Sequence, residues 1–219
     1  MAAHLPANDL CVMKKHLYLF DFDGTITNAD TLLHFIRYAC GSWSMFCGFA
    51  LHAPLLVLMK LHLYSNYRAK ERLFGWFFRG MNVQFFDAIC QSFATDNAHL
   101  LRPAAASKLR QLLDDGEQVC VVSASIDNWV RPFFAALASG SAVQPQVIGT
   151  QVEVDVNGCL TGKFLTPNCY GAEKVNRINA LLPDVQQHRA HYHIVAYGDS
   201  RGDREMLAIA DESHYKPFR

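Results

Sequence analysis

The sequence has no charge surplus: 20 Lys and Arg offset 20 Asp and Glu across 219 residues. A generic nucleic-acid binder carries a basic excess, so no nucleic-acid partner is expected. Charge is also scarce, at 18% of residues against 51% hydrophobic, which excludes a globally disordered chain. No two of the seven cysteines (Cys11, Cys40, Cys47, Cys90, Cys120, Cys159, Cys169) stand as CxxC, so neither a zinc knuckle nor a thioredoxin-type pair is indicated. Between Met1 and Met13 no basic region leads into an apolar stretch, so no secretory signal is expected. Reduced thiols in a cytoplasmic protein follow from these two absences. Internal repeats and low-complexity tracts are missing too. What the chain does have is length for one large domain or one and a half, and fifteen Phe, eight Tyr and three Trp to fill it.

Three short apolar runs read as buried strands: His16–Phe20, Val119–Val122 and His193–Tyr197. Helical stretches fall between them, at Pro103–Leu113, roughly Ile126–Leu137 and Ala172–Leu182. Such alternation predicts an α/β protein with a Rossmann-like parallel sheet. Two inserts interrupt it. Gln151–Val156 and Cys159–Phe164 alternate polar and apolar residues around Asn157-Gly158, which predicts a small β-hairpin. Residues 32–100 have helical spacing and no strand pattern, and form an all-helical cap over a core made of 1–31 and 101–219. Within that cap, residues 38–59 contain no Lys, Arg, Asp or Glu and are long enough to span a bilayer. Gly41, Ser42, Ser44, Gly48, His52 and Pro54 interrupt the stretch, so the first expectation is a buried helical hairpin. The alternative is an apolar face in peripheral contact with membrane or lipid, which would make the protein membrane-associated.

In open parallel sheets, ligands bind at the carboxyl ends of the strands, and the chemistry-bearing residues gather there. Asp21-Phe22-Asp23-Gly24-Thr25 follows the first strand. Residues i and i+2 leaving a strand point the same way, so Asp21 and Asp23 can face one ligand. Gly24 permits the sharp turn that brings backbone N–H groups to an anion. Paired carboxylates with open positions suit Mg²⁺. Gly198-Asp199-Ser200-Arg201-Gly202-Asp203 closes the third strand, where Asp199 can supply another metal oxygen and Asp203 a helix cap or a support. Ser123-Ala124-Ser125 is expected to end the second strand and open a helix, an anion site or simply a cap. Lys174 sits in the first turn of a later helix. His188, His191 and His193 occupy a polar lead-in where alternation separates them, which disfavours a metal cluster. Arg68, Lys70, Arg72 and Arg79 read as a solvated basic face, and Phe74, Trp76, Phe77, Phe78, Phe85 and Phe86 as cap core.

In this order the motifs resemble those of the haloacid dehalogenase (HAD) superfamily, from about Leu17 to Phe218. Asp21–Thr25 is similar to its first motif, Val121-Val122-Ser123 to its second, Lys174 to its third, and Gly198-Asp199-Ser200 with Asp203 to its fourth. The hairpin and Cys169–Val175 are similar to the phosphoserine-phosphatase-like subgroup (subfamily IB) and to phosphatidylglycerophosphatase C-like members. The resemblance implies a Mg²⁺-dependent phosphomonoester hydrolase. Asp21 would be the nucleophile forming an aspartyl phosphate, and Asp23 the acid and base. Asp21, the Asp23 backbone carbonyl and Asp199 would hold Mg²⁺. Ser123 and Lys174, with Ala124 and Gly24, would hold the phosphoryl group, and Asp203 would support this set. Asp30 stands where phosphoserine phosphatases carry a substrate-contacting Glu, one methylene shorter, so phosphoserine is the alternative to a small or lipid-linked phosphate. A phospho-acceptor signalling module without turnover is the alternative of another class, opposed by the cap and by Asp23.

Overall fold

The computed structural model describes residues 14–61 and 63–219. The segment Met1–Met13, with its expected lack of a signal, and Cys11 lie outside the described residues. Strand β1, Lys15–Phe20, leads into a wide turn at Phe22–Ile26 and then into three helices: α1, Thr31–Lys60; α2, Asn66–Phe78; and α3, Val83–Asp96. The chain returns through α4, Pro103–Asp114, to β2, Gln118–Ile126. Two short helices follow, α5 at Asp127–Val130 and α6 at Phe133–Leu137, and then β3 at Gln146–Thr150. The hairpin strands β4, Val152–Val154, and β5, Leu160–Phe164, precede α7, Ala172–Leu181, and α8, Pro183–Gln187. The chain ends on β6, Tyr192–Gly198, α9, Arg204–Ala208, and β7, Glu212–Tyr215.

Five strands form one parallel sheet in the order β3-β2-β1-β6-β7, and β4 pairs with β5 in a separate antiparallel ribbon. This is the α/β architecture expected. Both faces of the sheet are covered, which is why its inner strands are apolar at successive positions. Leu17 and Leu19 of β1 pack on one side with Ile178 and Met206, while Phe20 packs on the other with Val121 and Leu109.

The insert leaves and re-enters the core through two adjacent chains: Thr27 bridges Leu101, Asn28 N–H donates to Leu100 O, and Arg102 N–H donates to Ile26 O. Inside it Phe35, Phe74, Phe78, Phe86 and Phe93 are buried, whereas Trp76 and Phe85 are exposed and lie outside the expected cap core. Trp129 of α5 stacks on Phe35 at 4.7 Å between centroids, joining insert to core. The hairpin packs against the insert, with Gly80 N–H donating to Leu160 O and Leu160 N–H to Met81 O.

Three expectations need correction. The apolar stretch is not a buried hairpin: α1 bends only at Gly41 (φ 81°, ψ 161°), a conformation open to glycine alone, and runs on unbroken through Pro54 to Lys60. Beyond Gly41 only Gly48 of α1 is buried, the rest being half-buried or exposed. Second, β2 does not stop at Ser123. After a register shift beyond Val122 it regains β3 at the Ile126–Thr150 pair, so no helix opens at Ser123. Third, the expected helix Ile126–Leu137 is two pieces, separated at Arg131-Pro132, where proline has no N–H to continue the ladder.

Candidate active site

The parallel register sets the ends of β1, β2 and β6 side by side. Asp21 N–H donates to Tyr197 O of β6, so the first residue beyond β1 is pinned to the neighbouring strand. A pocket of about 330 Å³ opens there, lined by Asp21, Asp23, Gly24, Asp30, Lys70 and Ser125, with Lys174, Asp199 and Asp203 completing its floor. Gly24 has φ 80°, and a Cβ there would lie 2.5 Å from Asp199 Oδ2. Glycine thus satisfies both the turn and the approach of the fourth-motif carboxylate.

Lys174 is 1% exposed and its Nζ donates to Asp21 Oδ1 (2.6 Å), Asp203 Oδ1 (2.6 Å) and Val122 O (2.7 Å). An ammonium has three donors, and all three are used within the protein. Lys174 therefore holds Asp21 in place and leaves Asp21 Oδ2 toward other partners. Burial opposes the Lys174 charge, but the Asp21 and Asp203 carboxylates outweigh it and raise its pKa. Burial also pushes the Asp21 carboxyl up to about 7, against the pull of Lys174. Asp203 is held below the usual carboxylate range: burial would raise it, but Lys174 and the Ser200 donors prevail. Its Oδ2 accepts from Asp199 N–H, Ser200 N–H and Ser200 Oγ, the arrangement of a supporting residue.

Asp23 is fixed from the insert and from β2 together. Thr31 N–H (2.7 Å) and Thr31 Oγ1 (2.6 Å) donate to its Oδ1, and Ser125 Oγ (2.5 Å) to its Oδ2. Burial, reinforced by Asp30, nevertheless raises its pKa against the pull of these donors. Asp30 lines the pocket and caps α1 by accepting from Leu32 N–H.

Carboxylate oxygens of Asp21, Asp199 and Asp203 lie within 4.8 Å of one another. Together with Asp23 they exceed the single buried Lys174 in charge, and hard oxygens so gathered fit Mg²⁺. Asp203 is already saturated by its own hydrogen bonds, leaving Asp21 and Asp199 as the side chains able to hold the ion. Arg219 pairs with Asp199 Oδ2 at 2.5 Å. Burial raises the Asp199 pKa even so.

The structure thus brings Asp21, Asp23, Gly24, Asp30, Ala124, Lys174, Asp199 and Asp203 to one pocket. Ser123 is fully buried, is not among the lining residues, and accepts from Ser125 N–H. Lys70 belongs to the pocket and not to a solvated face, and burial lowers its pKa. Thr31, Asn66 and Tyr170 carry no site signal in the sequence, and Ser125 enters it only within Ser123-Ala124-Ser125 as an anion site or cap, not as the partner of Asp23. For Ser125 the i, i+2 spacing from Ser123 on a strand was the available signal. The histidines are dispersed: His188 pairs with Asp184 and His193 with Glu212. The six described cysteines are free.

Residues 18–208 match the haloacid dehalogenase-like hydrolase family. The chain belongs to that family. The hydrolase is 34% identical to protein CicA of Caulobacter vibrioides over 208 residues, covering 93% of this chain and 86% of the relative. Among solved structures it is similar to a Bordetella pertussis Tohama I protein of unknown function, with a TM-score of 0.74, 21% identity, and 91% and 89% of the two chains covered. It shares its fold with substrate-bound phosphoserine phosphatase, with a TM-score of 0.58, 19% identity, and 91% and 85% covered. A phospho-aspartyl intermediate analogue of phosphoserine phosphatase aligns over the same shares at a TM-score of 0.56 and 18% identity.

Proposed function

We propose that this hydrolase is a Mg²⁺-dependent phosphomonoesterase that works through an aspartyl phosphate on Asp21, with a small or lipid-linked phosphate as substrate. The observation that carries the reading is the pairing of a buried carboxylate, Asp21, with a half-buried one, Asp23, in different surroundings. Asp21 is bound to an ammonium and has one oxygen free. Asp23 is held by three neutral donors and touches no cation, while burial raises the pKa of both groups. Two carboxyl groups whose environments differ in this way divide into nucleophile and acid.

Asp21 Oδ2 attacks phosphorus, and the bond from phosphorus to the ester oxygen breaks as Asp23 gives that oxygen its proton. Asp23, now ionised, takes a proton from the water that attacks the aspartyl phosphate, releasing phosphate and restoring both carboxyl groups. Lys174 keeps Asp21 oriented throughout. Ala124 and Gly24, which line the pocket, are the candidates to bind phosphoryl oxygens, with Ser125 holding Asp23 and the buried Ser123 supporting Ser125 from behind. Asp21, the Asp23 carbonyl and Asp199 would hold Mg²⁺, which when bound neutralises charge on the phosphoryl group. Asp30 and Lys70 place one charge of each sign at the insert side of the pocket, where the leaving group would sit.

The exposed side of α1 supports the further reading that the protein contacts a membrane peripherally. Trp43 (77%), Phe46 (63%), Leu51 (65%), Val57 (55%) and Leu61 (61%) are exposed. At 100° per residue they fall on one side of the helix, within roughly 140°. The opposite side packs on α2, where Gly48 is buried beneath Trp76 and Phe77. A helix apolar on both sides, with one side covered, suits an interfacial position better than a crossing one.

The test of the enzymatic reading is turnover of p-nitrophenyl phosphate with and without Mg²⁺. The expected outcome is Mg²⁺-dependent release, abolished in Asp21→Asn and reduced about 10²–10⁴-fold in Asp23→Asn. Absence of turnover on any phosphate ester would remove the reading.

A further inference from the structure

Beyond β7 the chain turns back over the sheet. Lys216 has φ 57° and is the one residue other than glycine in the left-handed region among the described residues. Backbone held there is strained, and it persists only where its surroundings over-determine it. Lys216 N–H donates to the carbonyl of Gly198, the residue before Asp199, at 2.8 Å. Phe218 stacks on Tyr197 of β6 (5.6 Å between centroids) and on Phe20 of β1 (6.4 Å). Its carbonyl accepts from Arg102 Nη1 (3.5 Å), while Arg102 Nε donates to Thr27 O (3.1 Å). Thr27 and Arg102 belong to the two chains through which the insert leaves and re-enters the core, so residues 216–219 are tied to sheet and insert alike. Arg219 extends from this strap, and its Nη2 donates to Asp199 Oδ2 at 2.5 Å.

We infer that Arg219 is a positioning residue for the metal: it holds the Asp199 carboxylate by one oxygen and leaves the other to Mg²⁺. The inference rests on the reading of Asp21 and Asp199 as the Mg²⁺ ligands, and adds to it a residue from outside the four motifs. Asp199 Oδ1 accepts no hydrogen bond among the described residues. The same division holds at Asp21, where Lys174 takes Oδ1 and leaves Oδ2. A carboxylate free to turn about its last bond presents an oxygen to a cation only part of the time, and outer partners that stop the turning are a regular part of metal sites. Against this, a guanidinium close to a divalent cation repels it. Exposure decides between the two effects. The Arg219 side chain is 44% exposed and the Asp199 side chain 12%, so water screens the arginine's charge while the carboxylate it fixes stays within the site. Stability is not what the pair supplies, because an ion pair this open contributes little to folding.

The test is calorimetric titration of Mg²⁺ alone into the metal-free protein, with no ester present. Arg219→Gln should weaken binding about 10- to 100-fold. Arg219→Lys, which restores the charge without the planar fork, should recover part of that loss. Phe218→Ala unseats Arg219 without removing its charge, and should weaken Mg²⁺ binding in the same direction. Urea midpoints of wild type and Arg219→Gln, measured without metal, should coincide. With p-nitrophenyl phosphate, Arg219→Gln should need about 10- to 100-fold more Mg²⁺ for half-maximal turnover and still reach wild-type kcat once Mg²⁺ saturates. Equal Mg²⁺ affinity in wild type and Arg219→Gln, with p-nitrophenyl phosphate still hydrolysed, would overturn the inference and spare the enzymatic reading. Tighter binding in Arg219→Gln would overturn it equally, since the guanidinium would then compete with the ion. A wild-type protein that binds no Mg²⁺ would remove both the inference and the metal ligands it rests on.

Discussion

At the scale of single residues the site is organised by Lys174. It reaches from α7 to the first and fourth motifs and to a β2 carbonyl at once, and it is the largest fully buried charged side chain among the described residues. Lys174→Met would leave Asp21 and Asp203 buried without their counter-charge. The expected cost is about 3–5 kcal/mol, read as a lower urea midpoint at unchanged slope. An unchanged midpoint would show that the two carboxylates do not depend on it. The residues that carry chemistry were legible because each ends an apolar strand: Asp21 follows His16–Phe20, and Asp199 follows His193–Gly198. Lys70 was not. On α2 it stands among Arg68, Arg72 and Arg79 with nothing in its spacing to mark it, and only the packing of the insert over the sheet turns that one side chain toward Asp23 and Asp30.

At the scale of elements, legibility follows burial. Strands β1 and β6 lie inside the sheet, covered on both faces, and their apolar runs announce them. Strand β7, Glu-Ser-His-Tyr, is an edge with mostly exposed side chains and has no apolar pattern to read. Strand β3 is short, and its run is diluted by Gln146 and Gly149. The continuation of β2 past Ser123 depends on a bulge that only pairing with β3 reveals. Asp211 shows how the β6–β7 edge is secured. It accepts from Ile194 N–H at 2.7 Å and from Arg189 at 2.8 Å. Burial works against its charge, yet these donors hold its carboxyl below the usual range. A depressed carboxyl contributes stability above its unfolded value and loses it as pH falls through the folded one. Asp211→Asn should therefore destabilise by about 1 kcal/mol at pH 7, discounted for its exposure. The difference from wild type should shrink toward pH 3 in parallel urea titrations. A difference that stays constant with pH would contradict this role.

At the scale of the whole molecule the overall neutrality divides. Residues 34–100 carry six Lys and Arg against three Asp and Glu, so the rest of the chain is acidic by the same amount. Asp21, Asp23, Asp199 and Asp203 concentrate that acidity under a mildly basic insert with an exposed apolar helix. The long uncharged stretch was visible in the sequence, but which side of it is covered was not, since both sides of α1 are apolar. If the exposed side docks on lipid, the protein should sediment with vesicles containing phosphatidylglycerol, and Trp43→Asp combined with Phe46→Asp should weaken that at least about tenfold. Equal sedimentation of the two proteins would contradict membrane contact through this side. The central claim, that Asp21 carries the phosphoryl group, is tested most directly by trapping the intermediate. The protein is mixed with p-nitrophenyl phosphate and Mg²⁺, quenched in acid, and reduced with borohydride, which converts an acyl phosphate to the alcohol. Mass spectrometry should then find homoserine at position 21, and none when Mg²⁺ or the ester is left out. Full turnover with Asp21 unmodified at every quench time would contradict a covalent route through this residue.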